Sequence, residues 1–311
     1  MQIYTLEELG DIGSVISVGD QIVGVTAAVV VVWNRDQTEP VQVLPDRRTG
    51  IRHVYLTASP DAKTLMTFND GRLKVWQSTP NGWQPDGEEE RPAFCAGRFS
   101  KDANAMTLVE FERAAFGVRN LSVVARTRSR TGQVKETVAA TLLGNPSERG
   151  WDGVFHRLPW KAADLSADGQ WFLLSPGEKA VHVWQAAEGR RVGTVKLKGI
   201  TNEAAFSPDG SRFAVDAGTT VYVHQTRTLD LVSSWKVKYS YIPQLAWSPD
   251  GQVLARVDGT TTVRLFDVDS GQERRAIGLR RNRANAIAFA PDGLTYLVGT
   301  VNGSVVVWDV D

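Results

Sequence analysis

Four histidines, one cysteine and a scatter of carboxylates are the residues from which this chain could build a catalytic or metal centre. Their spacing argues against one. His53, His156, His182 and His224 stand far apart, and none has metal-ligand spacing to another histidine, to Cys95 or to a carboxylate. Cys95 is the single thiol and reads as a small buried hydrophobe rather than a nucleophile. The chain has neither a phosphate-cradling Gly-Lys-Ser/Thr loop nor a Gly-x-Ser-x-Gly nucleophile elbow. A protein that is not an enzyme and carries no cofactor and no metal is expected.

The chemistry that remains is recognition. Residues 144–160 gather Arg149, Trp151, Phe155, Arg157 and Trp160 into one short stretch, and Trp and Arg dominate the energetics of protein interfaces. Two readings stand beside each other here: a partner-binding loop, or rings folded back to plug the architecture that carries them. His156 is the one histidine placed where it could join such a site. A second candidate set is basic, comprising Lys198, Lys238, Arg280, Arg281 and Arg283, with Arg47, Arg48, Arg52, Lys161, Lys196 and Lys236 in comparable positions. Such residues suit an acidic or phosphorylated peptide or a nucleic-acid backbone. The competing reading is that the lysines guard outer strands against edge pairing. Because 35 Lys and Arg balance 35 Asp and Glu, no global field supports non-specific nucleic-acid binding, and such binding would need a local patch.

The elements that position these residues repeat along the chain. Ser59-Pro60-Asp61, Ser100-Lys101-Asp102, Ser166-Ala167-Asp168-Gly169, Ser207-Pro208-Asp209-Gly210, Ser248-Pro249-Asp250-Gly251 and Ala290-Pro291-Asp292-Gly293 share one frame. Val18-Gly19-Asp20 is a weaker seventh copy. The aspartates are spaced by 41, 41, 66, 41, 41 and 42 residues, and a fixed period of this size marks a repeat architecture. Ser, Pro, Asp and Gly in this order fit a type I β-turn, with strand-like apolar segments on both sides. About 15 residues after each aspartate a third strand ends in a large ring, as in Val75-Trp76, Val183-Trp184, Val223-His224, Leu265-Phe266 and Val307-Trp308. A second turn then opens a more polar fourth strand.

Period, turn and ring together resemble the WD-repeat family, whose repeats of about 40 to 45 residues each form one four-stranded propeller blade. Trp308-Asp309 matches the eponymous pair; elsewhere it reads Trp33-Asn34, Trp76-Gln77, Trp184-Gln185, His224-Gln225 and Phe266-Asp267. No Gly-His pair precedes the inner strands, so the family's His-Asp-Trp network is absent or rebuilt. The Ser-Pro-Asp-Gly turns look like those of bacterial members. The resemblance implies an all-β fold, a seven-bladed β-propeller of four-stranded antiparallel blades spanning residues 1–311 as one domain. The third strand of the last repeat ends the chain, and residues 1–6 are expected to supply the missing fourth strand. The resemblance further implies a scaffold or adaptor that binds one or more proteins in a larger complex.

The long 66-residue interval locates the decoration. About nine surplus residues fall in the hairpin around Phe111 to Asn120, and about fifteen in residues 144–160, between blades three and four. In WD-like propellers both loops emerge on the top face, so one sector of that face is the expected binding side. The lone cysteine argues against a disulfide framework and favours the cytoplasm. Residues 1–9 lack a basic, apolar signal, and the longest apolar run, residues 23–33, is half of what a membrane helix needs. A protein monomeric when isolated and away from membranes is expected.

Overall fold

The computed structural model describes the chain except residues 1, 6–9, 47–54, 70–71, 91–93, 114–119, 130–133, 144–161, 176–178, 187, 241–242, 259, 280–281 and 311. The described residues form 28 strands. They assemble into seven four-stranded antiparallel sheets, as the repeat predicts. In chain order, β1 (Gln2–Thr5) stands apart from the first sheet, which comprises β2 (Ser14–Val18), β3 (Gln21–Val25), β4 (Val29–Asn34) and β5 (Gln42–Pro45). The second holds β6 (Tyr55–Ala58), β7 (Thr64–Asn69), β8 (Arg72–Thr79) and β9 (Gly82–Glu90). The third holds β10 (Phe94–Phe99), β11 (Ala105–Arg113), β12 (Asn120–Ser129) and β13 (Val134–Leu143). The fourth holds β14 (Ala162–Leu165), β15 (Trp171–Ser175), β16 (Ala180–Gln185) and β17 (Arg190–Lys196). The fifth holds β18 (Thr201–Phe206), β19 (Arg212–Ala217), β20 (Thr220–Gln225) and β21 (Leu231–Lys236). The sixth holds β22 (Gln244–Trp247), β23 (Val253–Val257), β24 (Thr262–Asp267) and β25 (Glu273–Gly278). The seventh holds β26 (Ala284–Phe289), β27 (Thr295–Thr300) and β28 (Ser304–Asp309), and β1 completes it as the fourth strand.

That last pairing runs from Gln2 opposite Val307 to Thr5 opposite Ser304. The strand β1 therefore stands where the other sheets have their fourth, outer strand. By contact density the chain divides into two compact units, Met1–Pro92 with Val232–Asp311, and Ala93–Leu231. Among the described residues no helix is long and apolar enough to cross a membrane.

The repeated turn explains itself chemically. The residue after each turn aspartate donates its N–H to the carbonyl of the turn's first residue, as Gly210 does to Ser207 at 2.9 Å and Gly251 to Ser248 at 2.9 Å. Each serine hydroxyl donates to the aspartate, at 2.6 Å from Ser207 to Asp209 and 2.5 Å from Ser248 to Asp250. The same hydroxyl accepts the N–H five residues on, from Arg212 and Val253. Two of these aspartates are tuned accordingly: hydrogen bonds from Ser100 and the Asn104 backbone lower Asp102 to about 2, and Ser248 lowers Asp250. The weaker copy at Val18-Gly19-Asp20 departs from this frame. Val18 pairs with Gln21 and only Gly19 has a positive φ, of 56°, as expected where a two-residue hairpin carries Gly at its first central position.

The last turn position is left-handed throughout. Gly169, Gly210, Gly251 and Gly293 occupy it at φ of 68° to 72°, but Ala62 and Ala103 take 54° and 58°. An L-residue there costs about 1–2 kcal/mol, more than the entropy glycine adds to the unfolded chain. Ala62→Gly is expected to stabilise the protein by about 0.5–1 kcal/mol, read as a higher urea midpoint at unchanged m-value; a lower midpoint would contradict this account.

The large rings that end the third strands are core. Trp33, Trp76 and Trp184 are fully buried. Trp184 stacks on Phe172 with centroids 4.8 Å apart, His224 on Phe213 at 5.5 Å and Trp308 on Tyr296 at 5.9 Å. In each pair the cross-strand register sets the two rings opposite one another, an arrangement that stabilises antiparallel sheets. His224 is packing: its Nδ1 meets the Leu229 carbonyl at 2.9 Å, and burial pushes its pKa down.

A recurring latch joins neighbouring sheets. The turn between third and fourth strands of one sheet sits on the outer strand of the sheet before it. A methyl group on Gly193 in β17 would lie 2.5 Å from Leu229 Cδ1, and one on Gly271 2.9 Å from the Trp235 ring of β21. At Gly82 the same methyl would meet Gln42 Oε1 at 2.6 Å, where the Gln42 amide bonds both N–H and carbonyl of Trp83 at 2.8 Å.

Candidate functional site

The third sheet carries the decoration. Its strands β11, β12 and β13 run 9, 10 and 10 residues, against 5, 6 and 6 for the corresponding strands of the sixth. The expected hairpin insertion is present as added strand, with Arg113 opposite Leu121. The second insertion needs a correction: part of the surplus assigned to residues 144–160 lengthens β13, which pairs with β12 as far as Leu143 opposite Asn120. The reason is the backbone. A lengthened β12 presents N–H and carbonyl groups that an equally long outer strand satisfies.

The sequence candidates fall into two groups. Arg149, Trp151, Phe155, Arg157 and Trp160, with His156, lie outside the described residues, as do Arg280 and Arg281. Lys198, Lys238 and Arg283 are described and exposed. Each stands in a segment that leaves one outer strand for the next inner strand: Lys198 between β17 and β18, Lys238 between β21 and β22, and Arg283 just before β26. The lysine alternation has the expected edge-strand form, with Lys196 and Lys198 exposed around buried Leu197.

Two arrangements escaped the sequence reading. In the sixth sheet Arg256 is 1% exposed within the otherwise apolar Val253–Val257 strand. Its guanidinium lies 3.6 Å from Asp258 and donates to the Lys238 carbonyl at 2.9 Å, while the Ser240 hydroxyl donates to the Asp258 carbonyl at 2.8 Å. A buried, hydrogen-bonded ion pair therefore fixes the backbone that presents Lys238. The next such segment is held by neutral groups instead, with Asn302 donating to the Asn282 side chain at 2.9 Å. One charge inside an apolar strand was the only signal.

The second arrangement spans three inner strands of the Ala93–Leu231 unit. Arg98 on β10 lies 3.2 Å from Asp164 on β14, whose other oxygen accepts the Phe206 N–H of β18 at 2.8 Å. Glu203 on β18 pairs across the strands with Asp216 on β19. Burial first, then the charges of Asp164 and Asp216, push Glu203 well above the usual glutamate range. Three carboxylates thus act on one another here and Arg98 pairs with Asp164 alone among the contacts described, yet among the described residues no group of three His, Cys, Asp or Glu is placed to hold a metal ion.

A solved structure supplies the frame for these parts. The chain is similar to the β-propeller domain of Cps50 (Swd1) from Myceliophteria thermophila, with a TM-score of 0.72 at 15% identity, over 99% of this chain and 98% of that one. The chain is a β-propeller. Its seven four-stranded sheets are the blades, and the lengthened strands belong to blade three. No family model matches the sequence. Among curated proteins it is similar to serine-threonine kinase receptor-associated protein, at 22% identity in Gallus gallus and 23% in Homo sapiens, each over 148 residues, 48% of this chain and 41% of that protein. It is also similar to a WD repeat-containing protein of Synechocystis, at 22% over 171 residues, 54% of this chain and 47% of the other. The matched part is less than half the length of those relatives. These distant likenesses support a propeller of the WD-repeat type.

Proposed function

We propose that this propeller is a non-catalytic, cytoplasmic scaffold that binds a partner protein within a larger complex on its top face, near the insertions of blades three and four. One observation carries the reading: among the described strands β11, β12 and β13 lengthen together, to 9, 10 and 10 residues, whereas blade two lengthens only β8 and β9, to 8 and 9. A rigid repeat framework decorated in one sector is a binding surface by construction. Proteins that resemble this chain include one named for its association with a receptor, which supports a protein partner.

Affinity capture tests it. The parent chain is expected to retain a stoichiometric protein under gentle conditions, and a triple variant with Trp151, Phe155 and Arg157 changed to Ala is expected to lose it while keeping the parent's circular dichroism and melting profile. Undiminished capture by the folded triple variant would reject the location. The exposed Lys198, Lys238 and Arg283 favour a second reading, an acidic peptide or nucleic-acid backbone. That reading requires an affinity falling steeply with salt, lost on changing the three to Ala.

A further inference from the structure

An asparagine followed by glycine is open to attack on its side chain by the next backbone nitrogen, because glycine carries no Cβ to hinder the approach. The chain contains two such pairs, Asn81-Gly82 and Asn302-Gly303. Both asparagines are exposed, and both glycines have positive φ, of 91° and 80°. Their side chains are held differently. Asn302 accepts the Thr300 hydroxyl on Oδ1 and donates from Nδ2 to Asn282 at 2.9 Å, so the carboxamide that would have to react is fixed at both ends. Among the described residues nothing hydrogen-bonds the Asn81 side chain, and its backbone N–H donates to the Thr79 hydroxyl at 3.2 Å.

The place of Asn81 gives such a reaction a consequence. Thr79 pairs with Gly82 across the turn Pro80-Asn81 that joins β8 to β9, and this turn sits in the latch between blades one and two. The Gln42 amide of β5 donates to the Trp83 carbonyl and accepts the Trp83 N–H, each at 2.8 Å. The Trp83 ring is 2% exposed and donates from Nε1 to the Gln21 side chain at 2.9 Å. No space is left beside Gly82, where an added methyl group would lie 2.6 Å from Gln42 Oε1.

We infer that Asn81 is a self-modification site, and that its reaction with water loosens this latch as the protein ages. The Gly82 nitrogen gives its proton to hydroxide and attacks Asn81 Cγ. The new N–C bond closes a succinimide ring while the Cγ–Nδ2 bond breaks, and Nδ2 takes a proton from water and leaves as ammonia. A second water opens the ring at either carbonyl. Opening at Cγ breaks the new bond and leaves aspartate; opening at the backbone carbonyl breaks the original peptide bond and leaves isoaspartate, whose main chain runs through Cβ and Cγ and is one carbon longer. That extra carbon enters immediately before Gly82, where the latch is full, so Trp83 cannot keep both of its bonds to Gln42. The inference does not depend on which partner the propeller holds.

Ageing the full chain at pH 8 and mapping its peptides by mass spectrometry tests it. The Asn81 peptide is expected to acquire the mass of an amide-to-acid exchange, and to accept enzymatic methylation of its isoaspartyl carboxyl group, at least tenfold faster than the Asn302 peptide. In the urea-unfolded chain the two are expected to react alike, and the rate at Asn81 to rise in proportion to hydroxide. Aged parent is expected to melt below fresh parent, and Asn81→Gln to keep its melting temperature through the same treatment. Fresh Asn81→Asp, which adds the charge without lengthening the backbone, is expected to melt with the fresh parent. If Asn81→Gln does not fold, the peptide map and melting of the parent decide alone. An Asn81 that stays intact, an Asn302 that reacts as fast in the folded chain, or an isoaspartyl-containing parent that melts with the fresh protein would each overturn the proposal. So would a fresh Asn81→Asp that melts as low as the aged parent.

Discussion

Deleting residues 1–9 is expected to unfold the protein at a markedly lower temperature, and Tyr4→Ala to reproduce most of that loss. Tyr4 is 1% exposed, its ring meets Trp33 edge-on at 6.1 Å, and its hydroxyl donates to the Arg35 carbonyl at 2.7 Å. It packs with Ile12, Val15, Ile22, Val31, Leu297 and Val305, tying blade seven to blade one. Removing a buried ring of this size costs about 3–5 kcal/mol, whereas Tyr4→Phe, which loses only the hydrogen bond, costs about 1 kcal/mol. Urea unfolding followed by circular dichroism measures all three variants. A deletion variant that melts with the parent would show that β1 contributes nothing to blade seven.

The second large effect is expected at Glu203. Its pKa in the folded chain lies well above the ordinary glutamate value, so the folded protein binds that proton more tightly than the unfolded chain does. Stability from this site is therefore complete below the ordinary glutamate range and declines as pH rises through the folded value. Glu203→Gln keeps the shape and cannot ionise. At pH 8 the variant is expected to exceed the parent by about 1–3 kcal/mol, the order of the desolvation cost of a polar group, and the gap is expected to close towards pH 4. Unfolding free energies across that range check it; parallel profiles for parent and variant would mean that Glu203 is solvated and its carboxylate neighbours do not act on it.

What the sequence revealed was local chemistry. The Ser-Pro-Asp-Gly turns were legible because every bond that holds them lies within six residues, and the repeat followed from their spacing. The place of β1 was legible by subtraction, since the seventh repeat contained three strands and residues 1–6 were unclaimed. What the sequence hid was long-range compensation. The strand β13 reads as an ordinary strand, and its length is set by the partner it must cover in β12. Arg256 looks like an anomaly until Asp258 and the Lys238 carbonyl stand beside it. Glu203 alternates correctly as a strand residue, and only the register with Asp216 makes its charge a burden.

The seat between a hairpin turn and the preceding outer strand also bears on how such a chain grows. Gly193 and Leu229 are 36 residues apart, and so are Trp235 and Gly271, close to one repeat. A segment duplicated in tandem thus carries a socket for the copy after it and a plug for the copy before it. New copies arrive already able to grip their neighbours, and a foreign blade spliced into the series would have to match on both flanks at once.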